Sequence, residues 1–385
     1  MSTQAELIAQ EMLNGKGENT DPRLGDLLEE LERHFLTFIR FPDKSLAMLC
    51  SLWVVLTYCY DLFYYCAYLA FRSATPGCGK TQALTLLSLF SKGQPLIMTC
   101  PSPAVLFRIP NQVLLLDEVD KLRNQDKEKT GDILAILDSG YIKNGMVPRC
   151  VGNNHEVKFF SVYGPKALAG IESLADTLAA RSLFIELKRE SKRLPRLSER
   201  RLEETARKLR HQLLVWVDLR RGSIEQTYGE LSEDINGLTG YEPRFQDLAE
   251  PLYVLASLAD AEREGDSEAD KKAILPKFLK SLQVVATKRI PTGREESLLA
   301  FLDIAEEHLN ERPEAFIKTS DLLEAFKDRE ELSWIESGRK LANILRPFEL
   351  FPKNMAQYGG RGYLLTLQWV QEWRQRYGQQ DTQEG

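Results

Sequence analysis

Two stretches of this chain carry the residue types that handle phosphate. The first is Ala74-Thr75-Pro76-Gly77-Cys78-Gly79-Lys80-Thr81, which follows a strand-like run and opens a helix-like one. Gly77 and Gly79 let a backbone curl with its N–H groups inward, and the helix that follows offers an N-terminus that favours anions. In such a loop Lys80 would reach the β- and γ-phosphates and the Thr81 hydroxyl a Mg²⁺ ion. Thr75, Pro76, Gly77, Cys78, Gly79 and Gln82 would line the nucleotide. Ala74 stands where the usual pattern has its first glycine. The second stretch, Gln112 to Leu116, is a continuous apolar run that ends in Asp117-Glu118. This is the pattern of a parallel strand buried on both faces that delivers two carboxylates to a crevice. Asp117 would hold the metal and Glu118 would polarise an attacking water. The gap of about 36 residues between the two stretches accommodates one crossover and a further strand. ATP hydrolysis with Mg²⁺ is the chemistry these residues suit.

The elements needed to position them can be read along the 385 residues, of which 43% are hydrophobic. Strands are expected over Tyr68–Arg72, Pro95–Thr99, Gln112–Leu116, Lys166–Ile171 and Ser182–Leu187, with helices after Lys80 and over Lys129–Ser139. The fold class is therefore α/β, a P-loop NTPase core. Its expected divisions are a leader and helix over 1–40, the ATPase core over 41–190, a helical lid over 191–290 and a winged helix over 291–385. The apolar stretch Leu46–Phe71 approaches the length of a membrane span. Asp61, its many aromatics and its run into the phosphate loop instead read as a core helix from Ser45 to about Tyr60 followed by a strand. A helix is expected from Leu24, and a lid helix over Phe245–Asp260. The acidic stretch Glu262–Lys272 reads as solvated.

The formal net charge is −6, so any nucleic-acid surface must be a local patch. Six cysteines without a C-x-x-C pair fit a reducing, cytoplasmic setting. The Arg- and Lys-rich run Lys188–Arg221, with Glu203 and Glu204 as intrahelical partners, reads as a solvated helix rather than a binding surface. Met146–Gly164 has two strand-like arms around Gly152-Asn153-Asn154-His155, a hairpin signal. Lys143, Arg149, His155 and Lys158 could touch a nucleic-acid backbone there; an ordinary surface hairpin is the alternative. Residues 294–377 read as three helices, a two-stranded ribbon and a closing helix, the order of a winged helix. Arg339, Lys340 and Arg346 on the third helix, with Lys353 and Arg361 on the wing, are candidates for DNA; docking of a protein is the alternative. Arg181 stands before the last apolar strand, where a guanidinium could reach a neighbour's γ-phosphate or pair with Asp176.

The segments SATPGCGKTQAL, VLLLDEVDKL, LAILDSGYIKNGMVPRCVG, FFSVYGPKALAGIESLADTLAARSLFIELKR and RKLANILRPFELFP with GGRGYLL resemble an AAA+ ATPase family. That family occurs among phage, plasmid and integrative-element proteins and is similar to superfamily 3 and MCM-type helicases. The resemblance covers about residues 40 to 377 and is most specific over Asp138–Arg189. It implies an AAA+ core with a hairpin at 148–160 inserted before the sensor strand, Arg181 as a finger acting in trans, Arg244 at a second sensor position, and a C-terminal winged helix. The chain departs from the family at sensor 1, where Lys166–Ile171 ends in Gly170-Ile171 rather than Asn, with Lys166 and Glu172 as poor substitutes.

The function expected from these features is a ring-forming, hexameric, Mg²⁺-dependent ATPase that translocates on or remodels DNA, single-stranded DNA being the expected partner. It would serve a mobile element or a related defence system, with a primase or nuclease as a further partner and no membrane association. The competing expectation is an oligomeric switch driven by slow hydrolysis, its winged helix holding a protein.

Overall fold

The computed structural model describes residues 21–73, 77–109, 113–119, 121, 127–152, 156–170, 176–188, 194–231, 235, 237–263, 273–287, 293–310, 312–329 and 332–377. The leader before residue 21, Ala74, Thr75, Pro76, His155, Glu172 and the acidic residues 264–272 lie outside that set. The chain forms two units, Met1–Lys288 and Arg289–Gly385.

The first unit is built on a five-stranded parallel sheet of order β2–β3–β6–β1–β7. Its strands are β1 Tyr68–Arg72, β2 Ile97–Thr99, β3 Leu114–Asp117, β6 Lys166–Gly170 and β7 Ser182–Glu186. All except β2 are almost wholly buried, which is why they read as unbroken apolar runs. Helices α1 Leu24–Phe38, α2 Ser45–Cys59, α3 Lys80–Phe90, α7 Glu199–Gly229, α8 Pro243–Ala261 and α9 Ile274–Thr287 supply one layer. Its core includes Leu69, Phe71, Leu115, Ala167 and Ala169 from the sheet. The opposite face, through Tyr68, Leu114, Leu116 and Leu168, packs on Ile133, Ile136 and Leu137 of α5 Lys127–Ser139. Two short helices, α4 Pro103–Leu106 and α6 Asp176–Ala179, complete this side.

Helix α2 is buried at every position. The segment Ser45–Leu62 is long and apolar enough to cross a membrane, yet 89% of it is enclosed by this fold. Its Trp53 indole donates to the Ala67 carbonyl at 3.0 Å and binds it to the chain entering β1.

Three readings of the sequence need correction here. Arg210, counted in the basic run, is buried: its guanidinium donates to the Leu89 carbonyl at 2.7 Å and to Glu203 at 3.0 Å, tying α7 to α3. Glu262 is not a solvated acid. It caps α1 by accepting from the Leu24 N–H at 2.7 Å and also accepts from Trp216 and Arg220. The neighbouring Arg263 is 5% exposed and pairs with Asp26 and Glu29. These long-range partners are invisible to local charge patterning. Strand β2 is also shorter than the sequence suggests, beginning at Ile97 rather than Pro95, since proline has no N–H for the ladder.

Between β3 and β6 the chain forms the antiparallel hairpin β4 Met146–Val151 and β5 Glu156–Ser161. Behind it lies a fully buried lysine, Lys166, at the start of β6. Its ammonium donates to the carbonyls of Val162 (2.7 Å), Gly164 (3.0 Å) and Gly140 (3.4 Å) and sits 5.1 Å from the Tyr68 ring centre. A Cβ at Gly140 would lie 2.4 Å from the Val162 oxygen and from this ammonium, so only glycine fits there.

The second unit runs α10 Gly293–Leu309, β8 Glu314–Lys318, α11 Thr319–Ala325, α12 Gly338–Leu345, β9 Lys353–Met355, β10 Gly360–Thr366 and α13 Leu367–Tyr377. The expected two-stranded ribbon is a three-stranded antiparallel sheet, β8–β10–β9. Glu-Ala-Phe-Ile-Lys is the added strand, its Phe316 ring stacked on Tyr358 at 4.9 Å. The third helix starts at Gly338 because the Ser337 hydroxyl caps it, accepting from the Lys340 N–H at 3.3 Å.

Burial pushes the Lys166 ammonium down from 10.5 to about 7. Between these values the unfolded chain holds a proton that the folded one lacks, so the lysine's contribution makes stability rise with pH across that window. Urea denaturation of the native protein and Lys166→Met should therefore show a stability difference that depends on pH, the native curve climbing relative to the variant. Parallel curves would contradict this.

Candidate functional site

The sheet order sets the site. β6 lies between β1 and β3, so the phosphate-loop strand and the carboxylate strand are separated by one strand and end within one residue of each other: Ala70 and Leu116 both pair with Leu168, and the strands end at Arg72 and Asp117. The helices that follow β1 and β6 lie on opposite faces of the sheet, the arrangement at which open α/β sheets bind ligands beyond the carboxyl ends of their strands. Gly77 (φ +79°) and Gly79 (φ +92°) take left-handed backbone, and Gly79 is the N-cap of α3. A Cβ on Gly77 would meet nothing within 4 Å, so the loop opens to free space.

Lys80 and Thr81 form the first turn of α3. The Lys80 ammonium donates to the hydroxyl of Ser73, a wholly buried residue at the end of β1. The Thr81 hydroxyl donates to Asp117 Oδ2 at 2.9 Å, and Asp117 Oδ1 accepts from the Glu118 N–H at 2.8 Å. One carboxylate thus joins the helix after the loop to the end of β3. Glu118 takes φ +55°, which turns its side chain away from the strand's alternation. Its carboxylate pairs with Lys121 at 2.7 Å, and both side chains are about half exposed, so the pair opens at little cost. A hydroxyl and a carboxylate side by side are hard oxygen donors that suit Mg²⁺. Mg²⁺ keeps an octahedral shell, so beyond these two donors phosphate and water oxygens would complete it. Residues and ligand chemistry fit.

Arg181 does not extend freely. Its side chain is 15% exposed and pairs with Asp138 at 3.4 Å, while its guanidinium carbon lies 4.9 Å from the centre of the Tyr141 ring. Its Nη1 also donates to the Thr177 carbonyl. The partner weighed from sequence, Asp176, has its side chain outside the described residues. Lys166 is excluded as a sensor substitute: it stands at the opposite end of β6, paired in register with Leu114 and enclosed by carbonyls. Arg244 is exposed in the first turn of α8, and no described hydrogen bond or ion pair joins it to Lys80, Thr81 or Asp117. Gln82 and Cys78 are half-buried beside the loop, and Thr75 and Pro76 lie outside the described residues.

Of the hairpin cations, Arg149 is tied down, donating to Asp132 at 2.7 Å with its guanidinium 5.0 Å from the Phe107 ring centre. Lys143 donates to the Asp61 carbonyl at 2.6 Å at the hairpin's root. Lys158 is exposed and meets Glu156 only at 4.0 Å. Cross-strand pairing puts Met146, Pro148, Cys150, Val157 and Phe159 on one face. Met146, Val157 and Phe159 are more than half exposed. In the second unit Arg339, Lys340 and Arg361 are exposed, Lys340 pairing with Glu336 at 3.2 Å.

Sequence reasoning missed Ser73, Lys121, Asp138 and Tyr141. Only Ser73 had a local signal, a lone hydroxyl at the end of an apolar strand.

No protein-family model matches the chain, and no curated protein matches it. Among solved structures it is similar to an active helicase, Cch of SCCmec type IV, at 11% identity and a TM-score of 0.38, covering 96% of this chain and 71% of that one. It is also similar to the NrS-1 C-terminal region at 14% identity and 0.34, covering 91% and 77%. A third is the JCV helicase at 13% identity and 0.22, covering 72% and 76%.

The left-handed backbone at Gly79 yields a stability test. Gly79→Ala should cost about 1 kcal/mol, read as a lower urea midpoint, although its Cβ would meet only Gln82 Oε1 at 3.6 Å. An unchanged midpoint would show that the loop relaxes.

Proposed function

We propose that the protein is a Mg²⁺-dependent ATPase of AAA+ type that assembles as a ring and moves on or remodels single-stranded DNA. One observation carries this reading: the hydrogen bond from Thr81 to Asp117 across the end of β6, which unites the loop and the carboxylate strand. Lys80 moves from Ser73 onto the β- and γ-phosphates. Thr81 and Asp117 would hold Mg²⁺, which would supply charge neutralisation of the phosphates. Glu118 leaves Lys121 and accepts a proton from the attacking water. Arg181 of a neighbouring copy stabilises charge on the transferred phosphoryl group.

The exposed Lys158 on the hairpin is the cation most available to a DNA backbone, with Arg149 directly across from it, Lys143 at the hairpin's root and His155 expected at its tip. Arg339, Lys340 and Arg361 offer a second basic surface if the C-terminal unit acts as a winged helix. Service to a mobile element, hexameric stoichiometry, a primase or nuclease partner and a cytoplasmic setting belong to this reading. So do the four divisions 1–40, 41–190, 191–290 and 291–385. The switch reading draws support from β6, which ends in Ala169-Gly170 with no amide to orient water. Turnover would then be slow and a protein would occupy the C-terminal unit.

Steady-state ATPase assays at low salt, with and without single-stranded DNA, separate the two. Glu118→Gln should lower kcat at least about 100-fold while ATP still binds, and Lys80→Ala should abolish binding. DNA should raise the native rate, and Lys158→Ala should blunt that rise. Turnover unaffected by DNA would favour the switch, and full turnover in Glu118→Gln would remove the assigned base.

A further inference from the structure

Three contacts converge on the Arg181 side chain. Asp138 lies in the last turn of α5, and Tyr141 stands in the turn that follows, two residues past the helix end. The Asp138 carboxylate pairs with the guanidinium at 3.4 Å, the Tyr141 ring lies under it at 4.9 Å, and the Thr177 carbonyl takes Nη1. The Thr177 hydroxyl in turn donates to Asp138 Oδ2 at 3.3 Å, so α6 and α5 are bound to each other at this point. The seat is itself anchored. Tyr141 stacks on Tyr65 at 6.0 Å and 20°, and its carbonyl accepts from the Cys66 N–H at 2.8 Å, just before β1.

We infer that Asp138 and Tyr141 are positioning residues that fix the Arg181 guanidinium for the phosphate of a second copy of this chain. The inference rests on the trans role proposed above for Arg181. A long flexible cation free in solvent would lose much rotamer entropy on reaching a phosphate. Here that ordering is done when the chain folds: Nη1 is held, the flat face lies on a ring, and the Nε is buried without a hydrogen-bond partner. Preorganised charge of this kind needs little rearrangement as the phosphoryl group transfers.

The test is rescue between subunits. Arg181→Ala protein has intact loops but no finger, and Glu118→Gln protein has a finger but no base, so activity in their mixture comes from Arg181→Ala sites served by Glu118→Gln neighbours. Adding Asp138→Ala, or separately Tyr141→Leu, to the Glu118→Gln protein should lower the rescue about tenfold, the scale set by losing an outer partner of a reacting group. Tyr141→Phe, which keeps the ring, should leave rescue near its full value. Co-assembly of each pair, followed by light scattering, shows that a lost rescue is not lost binding between subunits. Full rescue by either the Asp138→Ala or the Tyr141→Leu donor removes that residue from the role, and by both overturns the inference. Absence of rescue with Glu118→Gln alone overturns the trans reading of Arg181, and the inference with it.

Discussion

The Thr81–Asp117 hydrogen bond is the interaction on which the candidate site depends, and it exists because of sheet register. β6 separates the two strands that carry the site, so the loop after β1 must cross the end of β6 to meet β3. The crossing works because both neighbours end against β6 within one residue of each other and because Gly170 ends that strand without a side chain. A one-residue slip in a parallel strand would turn Asp117 to the opposite face, against α5, and leave Thr81 without its partner.

A second constraint is the buried ammonium of Lys166, which gathers the carbonyls of Gly140, Val162 and Gly164 behind the hairpin. These carbonyls belong to the end of α5 and to the passage from β5 into β6. The same short region therefore fixes the root of the hairpin and the helix end that seats Arg181. Burying a cation without a carboxylate is costly; three oriented carbonyls with the face of Tyr68 offset part of that cost, and the remainder shows as the ammonium's lowered pKa. Hairpin, arginine seat and phosphate loop are thus referred to adjacent strands of one sheet.

Much of this could be read from the residues. The buried parallel strands announced themselves as apolar runs, and Gly77, Gly79, Lys80, Thr81 and Asp117 stood out because phosphate and metal demand those residue types at that spacing. What escaped were partners far apart in sequence: Arg210 on Leu89, Glu262 on Leu24, Arg181 on Asp138, and β8 added to the C-terminal ribbon. Local charge patterning finds intrahelical neighbours and nothing beyond them, which is why Arg210 and Glu262 read as solvated. The left-handed backbone at Glu118 was equally hidden, since glutamate has no preference for it.

The central claim is that Lys80, Thr81 and Asp117 form one nucleotide–metal site. Calorimetric titration of the intact protein with ATP, with and without Mg²⁺, tests it most directly. The account predicts that ATP binds, that Mg²⁺ tightens binding, and that Asp117→Ala and Thr81→Val each lose that tightening while keeping the metal-free affinity. Native protein that binds no ATP, or variants that retain the full effect of Mg²⁺, would contradict it.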